Sequence, residues 1–191
     1  MITNILLCGV GGQGTLLASN LLAECTMRAG FDVKKSEVHG MAQRGGSVVS
    51  HVRFGPAIHA PLIRQGEADI LLAFEELEAL RWAEYLKPNG LVLVNRQRIL
   101  PMSVSAGSSV YPTEIISLLE KLPARVRAVP ALDIAKELGN QKCVNVVLLG
   151  VLARQLPAID RPTWDAALRE RIPAKLLDLN VKAFERGWNA A

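Results

Sequence analysis

A chain of 191 residues that is half hydrophobic and only 21% charged has the composition of a globular protein with a sizeable core, not of a disordered segment. The net charge of +4 is modest, the basic residues are scattered, and three Trp, two Tyr and four Phe offer few platforms for stacked bases, so nucleic acid is not an expected partner. No basic stretch followed by an apolar one opens the sequence, and the longest apolar run, Val144 to Ala153, is too short for a membrane span. The expectation is a soluble, cytoplasmic protein with no membrane partner.

The first element is an apolar strand, Ile5-Leu6-Leu7-Cys8, running into Gly9-Val10-Gly11-Gly12-Gln13-Gly14 and then a helix. Strand, glycine turn and helix in that order present backbone N–H groups to a phosphate in many α/β proteins. The spacing Gly9-x-Gly11-x-x-Gly14 fits the dinucleotide fingerprint literally. A nicotinamide or flavin binder would also place an acid at the end of the second strand, roughly 20 residues on. Asp32 stands at the wrong end of that strand, and Glu37 follows Lys34-Lys35-Ser36, which is no core strand. Three readings of the glycines stay open: a tight turn with close helix packing, a phosphate or nucleotide contact, or a subunit contact.

Ala18, Leu21, Leu22, Cys25 and Ala29 recur at helical spacing, and Gly30 stands where a C′ glycine would end that helix. A strand over Asp32 to Val38 leads into the loop His39-Gly40-Met41-Ala42-Gln43-Arg44-Gly45-Gly46. Val48, Ser50, Val52 and Phe54 then alternate along a third strand, against Val49, His51 and Arg53. Two strands joined by about eight loop residues leave no room for a crossover helix and should pair antiparallel. Within the loop, Arg44 with Gly45-Gly46 behind it offers a guanidinium and adjacent N–H groups to an anion, or equally a charge to solvent or to a partner. His51 shares a face with Arg53, which should keep it exposed or against a partner.

Ile70 to Phe74 reads as a strand buried on both faces. Glu75 to Leu86 reads as one helix ended by Pro88-Asn89-Gly90; its acidic start, Glu75-Glu76-Leu77-Glu78, suits the helix dipole and needs no further role. A strand over Leu91 to Val94, an irregular polar stretch from 96 to 110, a helix over Thr113 to Leu122, a strand near Val126 to Val129 and a helical last third complete the order, with Gly187 closing the final helix. The expected fold is α/β: one three-layer α/β/α domain over 1–191 with a mixed, mostly parallel sheet and a Rossmann-like start.

Cys8, Cys25 and Cys143 are isolated, so their spacing builds neither a zinc site nor an iron–sulfur cluster. Cys8 and Cys25 are expected in the core. The three histidines have no metal-ligand spacing, and neither a Gly-x-Ser-x-Gly elbow nor an oriented Cys/His pair is present, so no catalytic and no metal-ligating residue is assigned.

The block Gly9-Val10-Gly11-Gly12-Gln13-Gly14 resembles the gamma subunit or gamma domain of the 2-oxoacid:ferredoxin oxidoreductases. Ser36 to Arg53, with His39-Gly40-Met41-Ala42-Gln43-Arg44-Gly45-Gly46 at its centre, is similar to the indolepyruvate:ferredoxin oxidoreductase beta subunit within that family. The likeness continues through Pro61-Leu62-Ile63, Gly66-Glu67-Ala68-Asp69, Phe74-Glu75 and Asn145 to Gly150, and covers about the first 150 residues. It implies oxidative decarboxylation of an aryl pyruvate to an acyl-CoA with reduction of ferredoxin. It also implies a large partner subunit that carries thiamine diphosphate, Mg and [4Fe-4S] clusters, with no cofactor bound by this chain alone. The candidate cofactor-binding residues here, toward coenzyme A, are Gly9, Gly11, Gly12, Gln13, Gly14, His39, Gln43, Arg44, Gly45 and Gly46. The isolated chain is expected to be inactive.

Overall fold

The computed structural model describes residues 1–39 and 46–190. Its first strand, β1 (Thr3–Val10), is followed by α1 (Thr15–Arg28), β2 (Asp32–His39), β3 (Ser47–Gly55), β4 (Ala68–Ala73), α2 (Glu76–Arg81), β5 (Leu86–Asn95), α3 (Met102–Ser105), α4 (Ile115–Glu120) and β6 (Arg125–Val129). Four helices end the chain: α5 (Ala131–Glu137), α6 (Val144–Arg154), α7 (Arg161–Arg171) and α8 (Ala174–Asn189). Among the described residues six strands form one sheet in the order β2-β3-β1-β4-β5-β6. Only β3 runs against the rest, pairing Thr3 with Phe54 through Val10 with Ser47 on one side of β1. On its other side β1 pairs in parallel with β4, from Ile5–Ile70 to Cys8–Ala73. The mixed sheet and the antiparallel hairpin follow from the short β2–β3 connection, as expected.

Ile5, Leu6, Leu7 and Cys8 are all fully buried because β1 lies in the middle of the sheet with helices on both faces. Alternate residues feed two cores. Ile5, Leu7, Leu72 and Leu93 pack with α1 and α5 to α8, whereas Leu6, Cys8, Leu71 and Val92 face α2 and α4. Because α1 covers one face and α2 and α4 the other, the direction of winding changes between β1 and β4. In open α/β sheets the crevice beyond the carboxyl ends of the strands at such a point is where ligands bind.

Gly30 ends α1 as read from the sequence: its φ is +85°, and Phe31 N–H reaches back to Thr26 O at 3.1 Å. Three local expectations are corrected. The helix over Glu75 to Leu86 stops at Arg81 and tightens into a 3-10 turn over Ala83–Tyr85, because Leu86 already pairs with Ala68 as the first residue of β5. Pro88-Asn89-Gly90 therefore lies inside β5 as an irregularity, with Asn89 at φ 62°, and terminates no helix. Gly187 sits within α8, not at its end, where it lets α8 touch α6. No helix among the described residues is long and apolar enough to cross a membrane.

Candidate functional site

The turn between β1 and α1 is made by glycines for distinct reasons. Gly12 and Gly14 have φ of +104° and +82°, a region that disfavours other L-residues. At Gly9 φ is ordinary, but a Cβ would stand 2.9 Å from both Gln13 Oε1 and Phe74 Cβ; at Gly14 it would stand 2.4 Å from Asn145 Nδ2. Packing alone thus accounts for Gly9. Gly12 is different: it is exposed, with no described residue within 4 Å of where its Cβ would be. Among the described residues no side chain caps α1 at Gly14, and a helix start of that kind favours an anion.

Gln13 crosses the switch point. Its Oε1 accepts from Val10 N–H at 2.8 Å, and its Nε2 donates to Phe74 O at 2.9 Å and to Gln97 Oε1 at 3.2 Å. Asn95 Nδ2 donates to the same Phe74 O at 3.1 Å and to Gln97 Oε1 at 3.0 Å. The carboxyl ends of β1, β4 and β5 are thereby tied by three side-chain amides. Both Nε2 protons of Gln13 are used inside the protein.

Gly11 N–H donates to Gly46 O at 2.9 Å, joining the glycine turn to the end of the β2–β3 loop. The glycine turn is thereby joined to Gly46, the last residue of the second motif. Gln43, Arg44 and Gly45 lie outside the described residues. His39 ends β2, paired with Val48.

Beside the turn opens a cleft of about 600 Å³. Val10 to Gly14 line it together with Gln97, Ile99, Leu132, Lys142 and Val144. Lys142 is exposed, and Gly14 brings the start of α1 to the same cleft. An open helix start and an ammonium on one cleft favour an anion; the aliphatic residues suit an apolar stem. Asn95, Gln97 and Lys142 were not among the residues singled out from the sequence. The polar pair Asn95 and Gln97 directly after the buried run Leu91 to Val94 was the available signal, since such positions sit at the carboxyl end of a strand.

The acidic start of α2 is more than a dipole effect. Glu75, Glu76 and Glu78 are all buried. Glu75 caps α2 by accepting from Glu78 N–H at 2.9 Å, and its other oxygen takes Ile99 N–H at 3.1 Å and the Tyr111 hydroxyl. Burial, and then that carboxylate, push the Tyr111 phenol well above its ordinary range. Glu76 pairs with Arg98 at 2.7 Å, and Glu78 accepts from Ser47 and Trp82.

The candidate ribose acids are engaged elsewhere. Glu37 accepts from Ser19 Oγ at 3.1 Å and Lys35 Nζ at 2.8 Å, and Asp32 accepts Ile58 N–H at 2.7 Å. His51 is buried, against the expectation of exposure. Its Nδ1 accepts Ile63 N–H at 3.2 Å and its ring meets Tyr85 edge-on, because the segment after β3 folds back over that face. Burial, with Arg53 beside it, lowers its pKa. All three cysteines are buried with raised pKa: Cys8 by burial and then Glu78 and Glu75, Cys25 by burial to about 12, Cys143 by burial. Among the described residues no three His, Cys, Asp or Glu side chains are grouped to hold a metal ion.

A mixed α/β sheet with a glycine turn at its switch point, tied to the following hairpin, is the architecture of a known oxidoreductase family. Over residues 4–190 the chain matches the pyruvate ferredoxin/flavodoxin oxidoreductase family, and it belongs to that family. It is 46% identical to indolepyruvate oxidoreductase subunit IorB of Archaeoglobus fulgidus, over 100% of this chain and 96% of that protein. Its fold is similar to the crystal structure of the keto/oxoacid ferredoxin oxidoreductase gamma subunit of Geobacter sulfurreducens, with a TM-score of 0.75 at 25% identity, covering 99% of this chain and 98% of that one. It is also similar to 2-oxoglutarate:ferredoxin oxidoreductase of Magnetococcus marinus, solved with 2-oxoglutarate, coenzyme A and succinyl-CoA. There the TM-score is 0.77 at 23% identity, covering 100% of this chain and 31% of that one.

Proposed function

We propose that this chain, acting as one gamma-type unit over 1–191, is the accessory, non-thiamine subunit of a cytoplasmic indolepyruvate-type 2-oxoacid:ferredoxin oxidoreductase. The large partner subunit carries thiamine diphosphate, Mg and the [4Fe-4S] clusters and passes electrons to ferredoxin. This chain forms one wall of the coenzyme A channel against that partner. The observation that carries the reading is the Gly11 N–H to Gly46 O bond, which joins the glycine turn lining the cleft to Gly46, the last residue before β3. The identity to IorB along the whole chain supports the choice of an aryl pyruvate.

The residues present suit a phosphorylated carrier. The uncapped start of α1 at Gly14 and the Lys142 ammonium favour its phosphates, and Ile99, Leu132 and Val144 offer an apolar wall to its stem. Coenzyme A, when bound, supplies the thiol that takes the acyl group. The part of this chain is to bind, orient and shield.

A second reading, a structural clamp, draws on Gln13, whose amide is spent on internal bonds. Lys142→Ala and Arg44→Ala separate the two in the reconstituted complex. On the channel reading each raises the KM for coenzyme A about ten-fold, the loss expected for one charge-assisted contact, with the subunits still associated. An unchanged KM together with weakened association in sedimentation velocity decides for the clamp.

A further inference from the structure

Between β5 and α4 the chain leaves the sheet and returns, and both ends of this excursion are held by one buried carboxylate. Glu75 Oε1 accepts Ile99 N–H at one root and the Tyr111 hydroxyl at the other. Arg98 ties the neck again, donating to Glu76 Oε2 at 2.7 Å and to Thr113 O at 2.8 Å. Inside the loop the bonds are local: Ser108 N–H and Oγ both reach Ser103 O, at 2.9 and 2.8 Å, and α3 makes a single turn over Met102–Ser105. Residues 99–111 are thus an Ω-loop with a closed neck and its own internal order.

Its surface is unusual in composition. No charged residue occurs from Ile99 to Thr113. Leu100, Met102 and Val110 are 57%, 81% and 88% exposed, and apart from Met1 they are the three most exposed large apolar side chains among the described residues. An exposed loop is ordinarily polar or charged. A charge-free loop with its apolar side chains turned outward, on a neck clamped by a buried carboxylate, is shaped to be covered.

What covers it follows from position and size. Ile99 at its root lines the cleft together with Gln97, so the loop stands on the rim of the proposed coenzyme A channel, at the carboxyl end of the sheet. Three side chains alone bury far less than the roughly 1,000 Å² that a stable, specific contact needs, so a homodimer built on this loop would not hold. A membrane surface is disfavoured, since the loop carries none of the Lys or Arg that draw a protein to anionic lipid. As a few apolar anchors within a larger interface the loop fits well.

We propose that residues 99–111 are a preformed docking knob that seats Leu100, Met102 and Val110 in an apolar, uncharged recess of the large thiamine-bearing subunit, at the rim of the shared channel. This rests on the function proposed above. The test uses the complex of this full chain co-produced with that subunit, and follows its dissociation on dilution by sedimentation velocity. Met102→Ser with Val110→Ser should raise the Kd about ten-fold or more, as truncated apolar anchors do, without moving the Tm of the chain. Met27→Ser, equally apolar and 55% exposed but at the opposite end of α1, should leave the Kd unchanged. An unchanged Kd in the double variant overturns the knob and leaves the proposed function standing, because the unsubstituted complex still forms. Self-association of the chain that the double variant abolishes overturns it as well. Failure of the unsubstituted chain to assemble with a thiamine subunit overturns both.

Discussion

Gln13 shows how one side chain can set a whole edge. It bonds Val10, Phe74 and Gln97 at once, across the point where the sheet reverses its winding, and so fixes the strand ends that border the cleft. Gln13→Leu strands the buried Val10 N–H and the Gln97 amide oxygen loses a donor, which should cost about 2 kcal/mol in urea unfolding. Gln13→Glu keeps the acceptor for Val10 but turns a carboxylate oxygen toward Phe74 O and Gln97 Oε1, so its cost should be no smaller; a stability equal to that of the unsubstituted chain in both variants would show that the three bonds do not matter. The glycines of this turn were legible in the sequence because positive φ and close approach are local demands. The work of Gln13 was not, because Phe74 and Gln97 lie 61 and 84 residues away. His51 failed for the same reason: the strand face it shares with Arg53 is covered by Ile63, a neighbour that period-two alternation cannot see.

Among the elements, the contact of α6 with α8 depends on two glycines. A Cβ at Gly150 would stand 2.2 Å from Phe184 O, and one at Gly187 would stand 1.9 Å from Val147 O. Both obstacles are backbone oxygens, so the helices themselves must separate. Gly187→Ala and Gly150→Ala should each lower stability by about 3 kcal/mol, seen as a lower denaturation midpoint with little change in slope. Ala at an exposed helical position stabilises, so a neutral result at either glycine would mean that the helices slide apart without loss. Arg161 lies over Phe184 and Trp188 at 5.0 and 5.3 Å and Trp164 packs on Phe184, so separating α8 would open this aromatic cluster too. The order of strands and helices was readable because hydrophobic period and turn residues mark each element. Which glycine ends a helix and which lets two helices touch was not: Gly30 turns the chain at positive φ whereas Gly187 is helical and meets Val147 O, and the local sequence marks neither difference. The short α2 is a similar case, cut at Arg81 by a strand pairing between Leu86 and Ala68 that no local propensity encodes.

At the scale of the molecule, ionisable groups in both layers make the fold sensitive to acid in two steps. His51 is held below its ordinary pKa by burial and Arg53, so the unfolded chain takes up a proton before the folded one does. Its contribution is fully present above about pH 6.5 and shrinks as pH falls from there toward the lowered folded pKa. The second step belongs to carboxylates. Burial opposes ionisation of Glu24, but the hydrogen bonds and charges of Arg171 and Arg28 outweigh it and hold the pKa below the ordinary value. The Asp160 carboxyl, which caps α7 by accepting from Thr163 N–H at 3.0 Å, is lowered by its bonds to Thr163. These contributions are present above about pH 4.5 and are lost as pH falls through the lowered folded values. Glu24 joins α1 to α7 and His51 joins β3 to the segment before β4, so the two steps loosen different layers. The Tm, followed by circular dichroism, should be flat from pH 8 to about 7, fall gently toward pH 5, and fall more steeply below about 4.5. His51→Gln should remove the first fall and keep the second, whatever its effect on the absolute Tm; a first fall that persists in that variant would assign it to some other group.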